Sequence, residues 1–282
     1  MGQLKERMTV DLKLAGYTDS TKKIYLIYAQ QFAAHHDRSP AVMGAEEVRQ
    51  FLLHLVIERG LSRSSLKQAR AALRFLYCVT LRRPVDVDWI PVPRTPKRLP
   101  SIFSGTEVNS FLRAVRHPKY RTIFTTMYAS GLRISEACKL SIKSIDSKRM
   151  VLHIRGKGDK ERLTVLSPQL LHSLRQYWKA AQPKGDWLFE GGMKAGHASP
   201  ESARRAFHKG LAAAGITRKL TPHSLRHSFA THLIDTGNDI TRVQALLGHK
   251  DQRTTGIYAH TSVERIGRIR SPLDLLSTPE AD

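Results

Sequence analysis

Apolar residues recur at three- and four-residue spacing through most of the first 84 positions, which predicts a helical unit. Thr18-Asp19-Ser20-Thr21 offers N-caps for a helix with Ile24, Ile27, Tyr28 and Phe32 on one side, broken at Ser39-Pro40. Glu46-Glu47 opens a second helix, the acids favourable near its positive end, with Val48, Phe51, Leu52 and Leu55 inward and Gly60 as its stop. A third runs from Ser62 to about Thr80 on an apolar stripe of Leu66, Ala69, Leu73 and Leu76. Its other face carries Arg63, Lys67, Arg70 and Arg74 at spacings of four, three and four. Such stripes usually face only solvent, but no acid lies between Arg59 and Asp86 to pair with this one, so it suits a phosphate backbone.

The periodicity stops at Pro84 to Pro100, which holds five of the chain's 13 prolines. That density excludes a helix and reads as an extended linker, made basic by Arg94, Lys97 and Arg98. Helical spacing resumes after the cap Ser104-Gly105-Thr106-Glu107, with Val108, Phe111, Leu112 and Val115, and continues from Tyr120 to Tyr128. Gly131 then stops one helix and Ser135 or a neighbour starts the next, leaving Arg133 at a sharp junction where Glu136 is an available partner. Met150 to Leu166 switches to two-residue alternation, Leu152 and Ile154 on one arm and Leu163 and Val165 on the other. With Gly156, Gly158 and Asp159 as its turn, it reads as a β-hairpin whose tip carries Arg155, Lys157, Lys160 and Arg162. A helix over Gln169 to Lys179, an apolar segment Trp187-Leu188-Phe189 and a loop from Gly191 to Pro200 follow. Ser202 to Ala214 is a basic helix exposing Arg204, Arg205, His208 and Lys209. The expected fold is mainly α with a small β-hairpin or sheet. It divides into a helical unit at residues 1–84, a basic proline-rich linker at 85–100 and a second, α+β unit at 101–282.

Charge narrows the partner. The formal net charge is +22, which points to a polyanion. No long apolar run, lipidation signal or signal peptide is evident, which favours nucleic acid over membrane. Cys78 and Cys138 cannot build a disulfide framework or a four-thiolate zinc site, and a reducing cytoplasm is the default compartment. His223, His227 and His232 lack an HExxH pattern and a nearby carboxylate cluster, so no metal and no other cofactor is expected.

Chemistry concentrates between Leu220 and His260. Thr221-Pro222 starts a helix that puts His223 and Arg226 on one face, has Ala230, Leu233 and Ile234 as its apolar side, and stops at Gly237-Asn238. A further helix buries Ile240, Val243, Leu246 and Leu247 and ends at Gly248, with His249 just beyond and Tyr258 nine residues later. A phenol is a poor nucleophile unless cations and a base surround it, and this stretch holds both. Any one of these four residues alone reads more simply as structural.

Together they resemble a known family. His223 with Leu225-Arg226-His227-Ser228-Phe229-Ala230-Thr231-His232 resembles the HxxR box of the tyrosine recombinases, the phage integrase family. Leu247-Gly248-His249 resembles its second histidine motif, and Thr254 to His260 its nucleophile box. Ala129 to Glu136 resembles its first arginine motif, and Lys157 matches its hairpin lysine, with Lys160 as a nearby rival. The bacterial chromosome-dimer-resolving and integron-like recombinases are the most similar branch, although no extra helix of the integron kind is evident.

The resemblance implies a two-domain clamp on duplex DNA, an all-helical core-binding domain joined to a catalytic domain. It implies Arg133, Lys157, His223, Arg226, His249 and Tyr258 as catalytic residues of a metal-independent site-specific recombinase that passes through a 3′-phosphotyrosyl link and a Holliday junction. Glu136 becomes an aide to Arg133. Arg204, Arg205, His208 and Lys209 become major-groove contacts, with phosphate contact alone equally open. A homotetramer on DNA is implied, with room for a second recombinase or an accessory protein. In relatives a C-terminal segment packs on the neighbouring protomer; Leu273, Leu275 and Leu276 suit that, or docking on their own domain. The pattern departs from the family at Lys250-Asp251-Gln252-Arg253 and at Gly256, which puts the resting position of Tyr258 in doubt. The rival readings are a type IB topoisomerase and a DNA-binding protein without recombination activity.

Overall fold

The computed structural model describes residues 2–83, 101–156, 161–192, 196–248 and 271–276. The chain separates into two compact units, Met1–Arg98 and Leu99–Asp282. The proline-rich stretch assigned to the linker lies outside the described residues.

The first unit is helical: α1 (Gly2–Leu14), α2 (Asp19–His36), α3 (Ala45–Ile57) and α4 (Arg63–Phe75). Thr18 caps α2 by accepting from the Thr21 amide, Ser62 caps α4 in the same way, and the Glu47 carboxylate accepts the Gly44 amide ahead of α3. Helix α3 turns Val48, Phe51, Leu52 and Leu55 inward, as its spacing requires. Helix α2 does so differently. Its buried positions are Ala29, Phe32 and Ala33, while Ile27 is exposed and Ile24 and Tyr28 are half-buried. Helix α2 packs on α4 with Phe32 fully buried, and Ile24 and Tyr28 are left partly covered. Helix α4 passes at Leu76–Thr80 into a single π-turn, where buried Tyr77 donates to the Pro40 carbonyl.

The second unit holds α5 (Gly105–Ala114), α6 (Pro118–Ser130), α7 (Ile134–Cys138), β1 (Ile145–Asp146), β2 (Val151–Arg155), β3 (Glu161–Val165), α8 (Pro168–Ala181), α9 (Pro200–Ala213), α10 (Pro222–Asp235) and α11 (Ile240–Leu247). The hairpin gains a short third strand, in the order β1-β2-β3, all antiparallel. Leu152 pairs with Thr164 and Ile154 with Arg162. Because side chains alternate along a strand, the two arms then send their apolar residues to opposite faces. Leu152 and Ile154 join the main core with Phe103, Phe111, Phe124 and Phe207. Val151 and Val165 join a smaller cluster with Phe229, Leu233, Val243, Leu246 and Leu247, against which Leu163 packs. The sheet is therefore covered on both sides, and it is the wall on which α10 and α11 rest.

Two positions expected inside lie outside. Ile234 on α10 is exposed, as is Ile240 on α11 at 54%, while the inward face of α10 is Leu225, Phe229 and Leu233. Ile240 is the first residue of its helix, where the turn that would cover it does not exist. Among the described residues no helix is long and apolar enough to cross a membrane.

Helix α6 is the central element, and its C-terminus is tied down twice. Ser130 Oγ donates to the Val165 carbonyl at 2.6 Å, and Thr164 Oγ1 donates to the Ser130 carbonyl at 2.8 Å. Gly131 then adopts φ +63°, and a Cβ there would meet Phe229 Cδ1 at 2.6 Å and Leu247 Cδ2 at 2.8 Å. We expect Gly131→Ala to destabilise the second unit by about 2 kcal/mol or more, combining a strained backbone with an overfilled core. A thermal melt of the full chain unchanged from the parent would contradict this.

Candidate active site

Three elements, the start of α7, strand β3 and helix α10, meet at the C-terminal end of α6, and each brings an arginine to one buried carboxylate. Gly131 turns the chain sharply, so Arg133 becomes the cap residue of α7 and Glu136 lies one turn inside it. The Arg133 amide donates to Glu136 Oε2 at 2.8 Å and its Nη1 to Oε1 at 2.8 Å. Arg162, carried inward on the Ile154 face of β3, adds a two-pronged contact: Nη1 to Oε1 at 2.9 Å and Nη2 to Oε2 at 2.7 Å. Arg226 of α10 lies 3.9 Å from the same carboxylate. Its Nη1 donates to the Gly131 carbonyl and its Nη2 to the Leu247 carbonyl. Both acceptors sit where helices end, the negative pole of the helix dipole.

Three guanidiniums thus converge on one carboxylate. Burial alone would raise the Glu136 pKa, yet the Arg162 hydrogen bonds and charge, followed by those of Arg133, hold it at about 2. Arg226 is only 4% exposed. Its burial, then the charges of Arg133 and Arg162, bring its pKa down to about 9, so it stays cationic at neutral pH. The cluster carries three positive charges against one negative, in a medium where desolvation makes that imbalance costly. An anion presented to the open side of Arg133, which keeps 38% of its side chain exposed, relieves it.

His223 sits one turn before Arg226 and is exposed at the surface of α10. Partial desolvation, then the Arg226 charge, places its pKa below the ordinary histidine value, with smaller contributions from His227, Arg133 and Arg204. The imidazole is therefore neutral at pH 7 and able to accept a proton. His227 is shifted the same way by burial and by Arg226. His232 is turned elsewhere, its Nδ1 3.0 Å from the Tyr128 hydroxyl. Among the described residues no group of three or more His, Cys, Asp or Glu side chains could hold a metal ion.

The structure brings Arg133, Arg226 and His223 into one neighbourhood. Lys157, His249 and Tyr258, and the rival Lys160, lie outside the described residues. Arg204, Arg205, His208 and Lys209 are all exposed on α9, whose buried side is Ala203, Phe207, Gly210 and Leu211. Arg204 pairs with Glu201 at 3.2 Å, and Arg205 Nη2 donates to Ser202 Oγ at 3.2 Å. In the first unit Arg63, Lys67 and Arg74 are exposed on α4 and Arg70 is half-buried. Of the two readings of the tail, Leu273 follows docking on its own domain. Leu273 is buried in its own domain's core, and Ser271 Oγ donates to the Ala129 carbonyl at 2.7 Å. Arg162, expected among the cations of the hairpin tip, is instead a nearly buried partner of Glu136. Strand alternation carries the signal, because Arg162 opposes Ile154, but its acid lies 26 residues away in sequence.

The chain matches the Phage integrase family over residues 102–265, and the family described as Phage integrase, N-terminal SAM-like domain, over residues 4–87. It is 40% identical to a Sinorhizobium fredii protein named as an integrase/recombinase, covering 99% of this chain and 91% of that one. It is 30% identical to tyrosine recombinase XerD of Yersinia pestis, covering 95% and 94%. Among solved structures it is similar to the XerH site-specific recombinase bound to difH substrate in a pre-cleavage complex. That match has a TM-score of 0.63 and 25% identity, and covers 88% of this chain and 77% of that one.

Glu136 offers a direct test of the cluster. Its depressed pKa stabilises the fold at pH above the unfolded value of about 4.5, and that contribution disappears as pH falls through about 2. Glu136→Gln removes the charge and leaves three guanidiniums together, so we expect a loss of about 3 kcal/mol at neutral pH, read as a lower melting temperature. Adding millimolar sulfate or phosphate should restore part of the loss in the variant more than in the parent.

Proposed function

The chain belongs to the phage integrase family of tyrosine recombinases, enzymes that cleave and rejoin DNA, and from that membership we propose a site-specific recombinase that works through a covalent phosphotyrosyl link. Tyr258 attacks the scissile phosphorus, its oxygen forms the new P–O bond, and the bond to the 5′ oxygen breaks, leaving a 3′-phosphotyrosyl end. Arg133 and Arg226 hold the non-bridging oxygens and neutralise the charge that grows on them. Lys157 protonates the leaving oxygen. His223 takes the Tyr258 proton and returns it in the reverse step, and His249 donates a hydrogen bond to the phosphate. Since one phosphoester replaces another, the 5′-hydroxyl of a partner strand reverses the attack without ATP. Two such exchanges in succession pass through a Holliday junction, on a DNA-bound tetramer.

One observation carries the reading: the excess of positive charge around Glu136, with Arg133 open to solvent and His223 one helical turn from Arg226. A dianionic, pentacoordinate phosphate is the species such a cluster suits best. Duplex DNA as partner is supported by the XerH complex with difH and by the +22 charge of this chain. In this reading residues 1–84 grip the duplex through Arg63, Lys67, Arg70 and Arg74, residues 85–100 link the two units, and residues 101–282 cut, with Arg204, Arg205, His208 and Lys209 of α9 in the major groove.

Covalent capture tests it. Nicked duplexes drawn from the surrounding genome are mixed with the chain without metal and quenched in SDS, and the attached DNA is sequenced. Adducts at one inverted-repeat site, absent with Tyr258→Phe, are expected. Adducts scattered over all fragments, with relaxation of plasmids lacking that site, would favour a topoisomerase instead, and tight binding with no adduct a protein that only binds. The pH profile of single-turnover cleavage is a second check. The neutral form of His223 is the base and its pKa is lowered by burial and by Arg226, so the rate should fall with acid only at a lower pH than an ordinary histidine would give. His223→Ala should lower the plateau by about 100-fold or more. A midpoint above the ordinary histidine value would count against the assignment.

A further inference from the structure

We infer that Arg162 is a positioning residue for strand cleavage: by gripping both oxygens of Glu136 and the Leu246 carbonyl together, it locks strand β3, the Arg133 junction and the C-terminal end of α11 into one arrangement. The inference rests on the recombinase reading above and extends it to a residue that touches no substrate.

The geometry is specific to a guanidinium. Nη1 and Nη2 reach the two Glu136 oxygens at 2.9 and 2.7 Å, while Nε, on the remaining edge of the same plane, donates to the Leu246 carbonyl at 3.0 Å. A planar fork can satisfy three fixed acceptors in this way, whereas an ammonium is a point charge on a flexible stem. The side chain is held from above as well. Gly248 adopts φ +63°, and a Cβ there would stand 2.9 Å from Arg162 Cδ, so the absence of a side chain at Gly248 makes the room Arg162 occupies. Arg162 keeps only 11% of its side chain exposed.

Each of its partners leads directly to the proposed chemistry. Glu136 holds Arg133 by the backbone amide and by Nη1. Leu246 is next to Leu247, whose carbonyl accepts from Arg226. Arg162 thereby fixes the acceptors of both arginines assigned to the phosphate. It stands in β3, near the end of that strand that pairs with Arg155. Arg155 does not share this role: its Nε and Nη2 reach exposed Glu161, its cross-strand partner at the end of β2.

Two variants separate position from charge. Arg162→Met removes both, and Arg162→Lys keeps the charge but cannot make the three-acceptor contact. At saturating nicked duplex, single-turnover cleavage is expected to fall about 100-fold in the first and at least about tenfold in the second, with duplex affinity changed less than about threefold. The same rates are then measured with a methylphosphonate at the scissile position, which carries no charge for Arg133 and Arg226 to neutralise. Misplacement of those arginines matters less on this substrate, so the deficit of both variants should shrink by about tenfold or more. A residue that only supports the fold would lower both substrates alike, and that result overturns the inference, as does Arg162→Lys cleaving at the parent rate. Should Arg162→Met melt below the assay temperature, the lysine variant alone decides. If the parent itself forms no Tyr258 adduct, the recombinase reading has failed; a parent that cleaves while the variants match it leaves that reading intact and removes only this one.

Discussion

The catalytic unit is built around a single buried carboxylate that is outnumbered by cations. Glu136 accepts from Arg133 and Arg162 and stands 3.9 Å from Arg226, so neither α7, β3 nor α10 can move without breaking a charged contact in a medium that penalises loose charge. The carbonyls of Gly131 and Leu247 offset part of the remaining positive potential, because both sit at helix ends where acceptors go unused. The offset is incomplete. A cluster that holds arginines under such tension is suited to an anion with several oxygens.

Packing puts that carboxylate in place. The hydroxyls of Ser130 and Thr164 exchange contacts between α6 and β3, which sets the helix end against the strand that carries Arg162. The sheet separates a large aromatic core from the smaller cluster beneath α10 and α11, so Phe229 and Leu247 press on Gly131 from one side while Leu132 and Ile134 enter the core on the other. The Arg133 junction has little freedom left. Ser228 adds a further tie, accepting the Phe103 amide and donating to the Ser224 carbonyl, and so joins the beginning of this unit to α10.

Much of this was legible from local pattern. The Val48, Phe51, Leu52 and Leu55 face, the cap at Ser104, the stop at Gly131 and the left-handed end at Gly248 follow from spacing and from the few residues that tolerate those backbone angles. The failures have a common cause. Periodicity gives the direction of a stripe and not its depth, so it turns Ile27, Ile234 and Ile240 inward although all three are exposed. Arg162 looked like another cation of a basic turn because its carboxylate lies in an earlier element. The strand at Ile145–Asp146 is two residues long and exists only because β2 offers it a free edge. For Arg133, Arg226 and Tyr258 the family motifs supplied what spacing alone could not: which of many basic and phenolic side chains belong together.

Residues 271–276 return the chain to the second unit. Ser271 is bonded to the Ala129 carbonyl and Leu273 is sunk in the core, while Gly248 closes α11 against Arg162. Both ends of the stretch that contains Tyr258 are therefore moored on the same domain. Through Ser271 the C-terminal residues hang on α6, the same helix whose end sets the Arg133 junction, so a disturbance of the Leu273 anchor is transmitted along α6 to the arginine cluster.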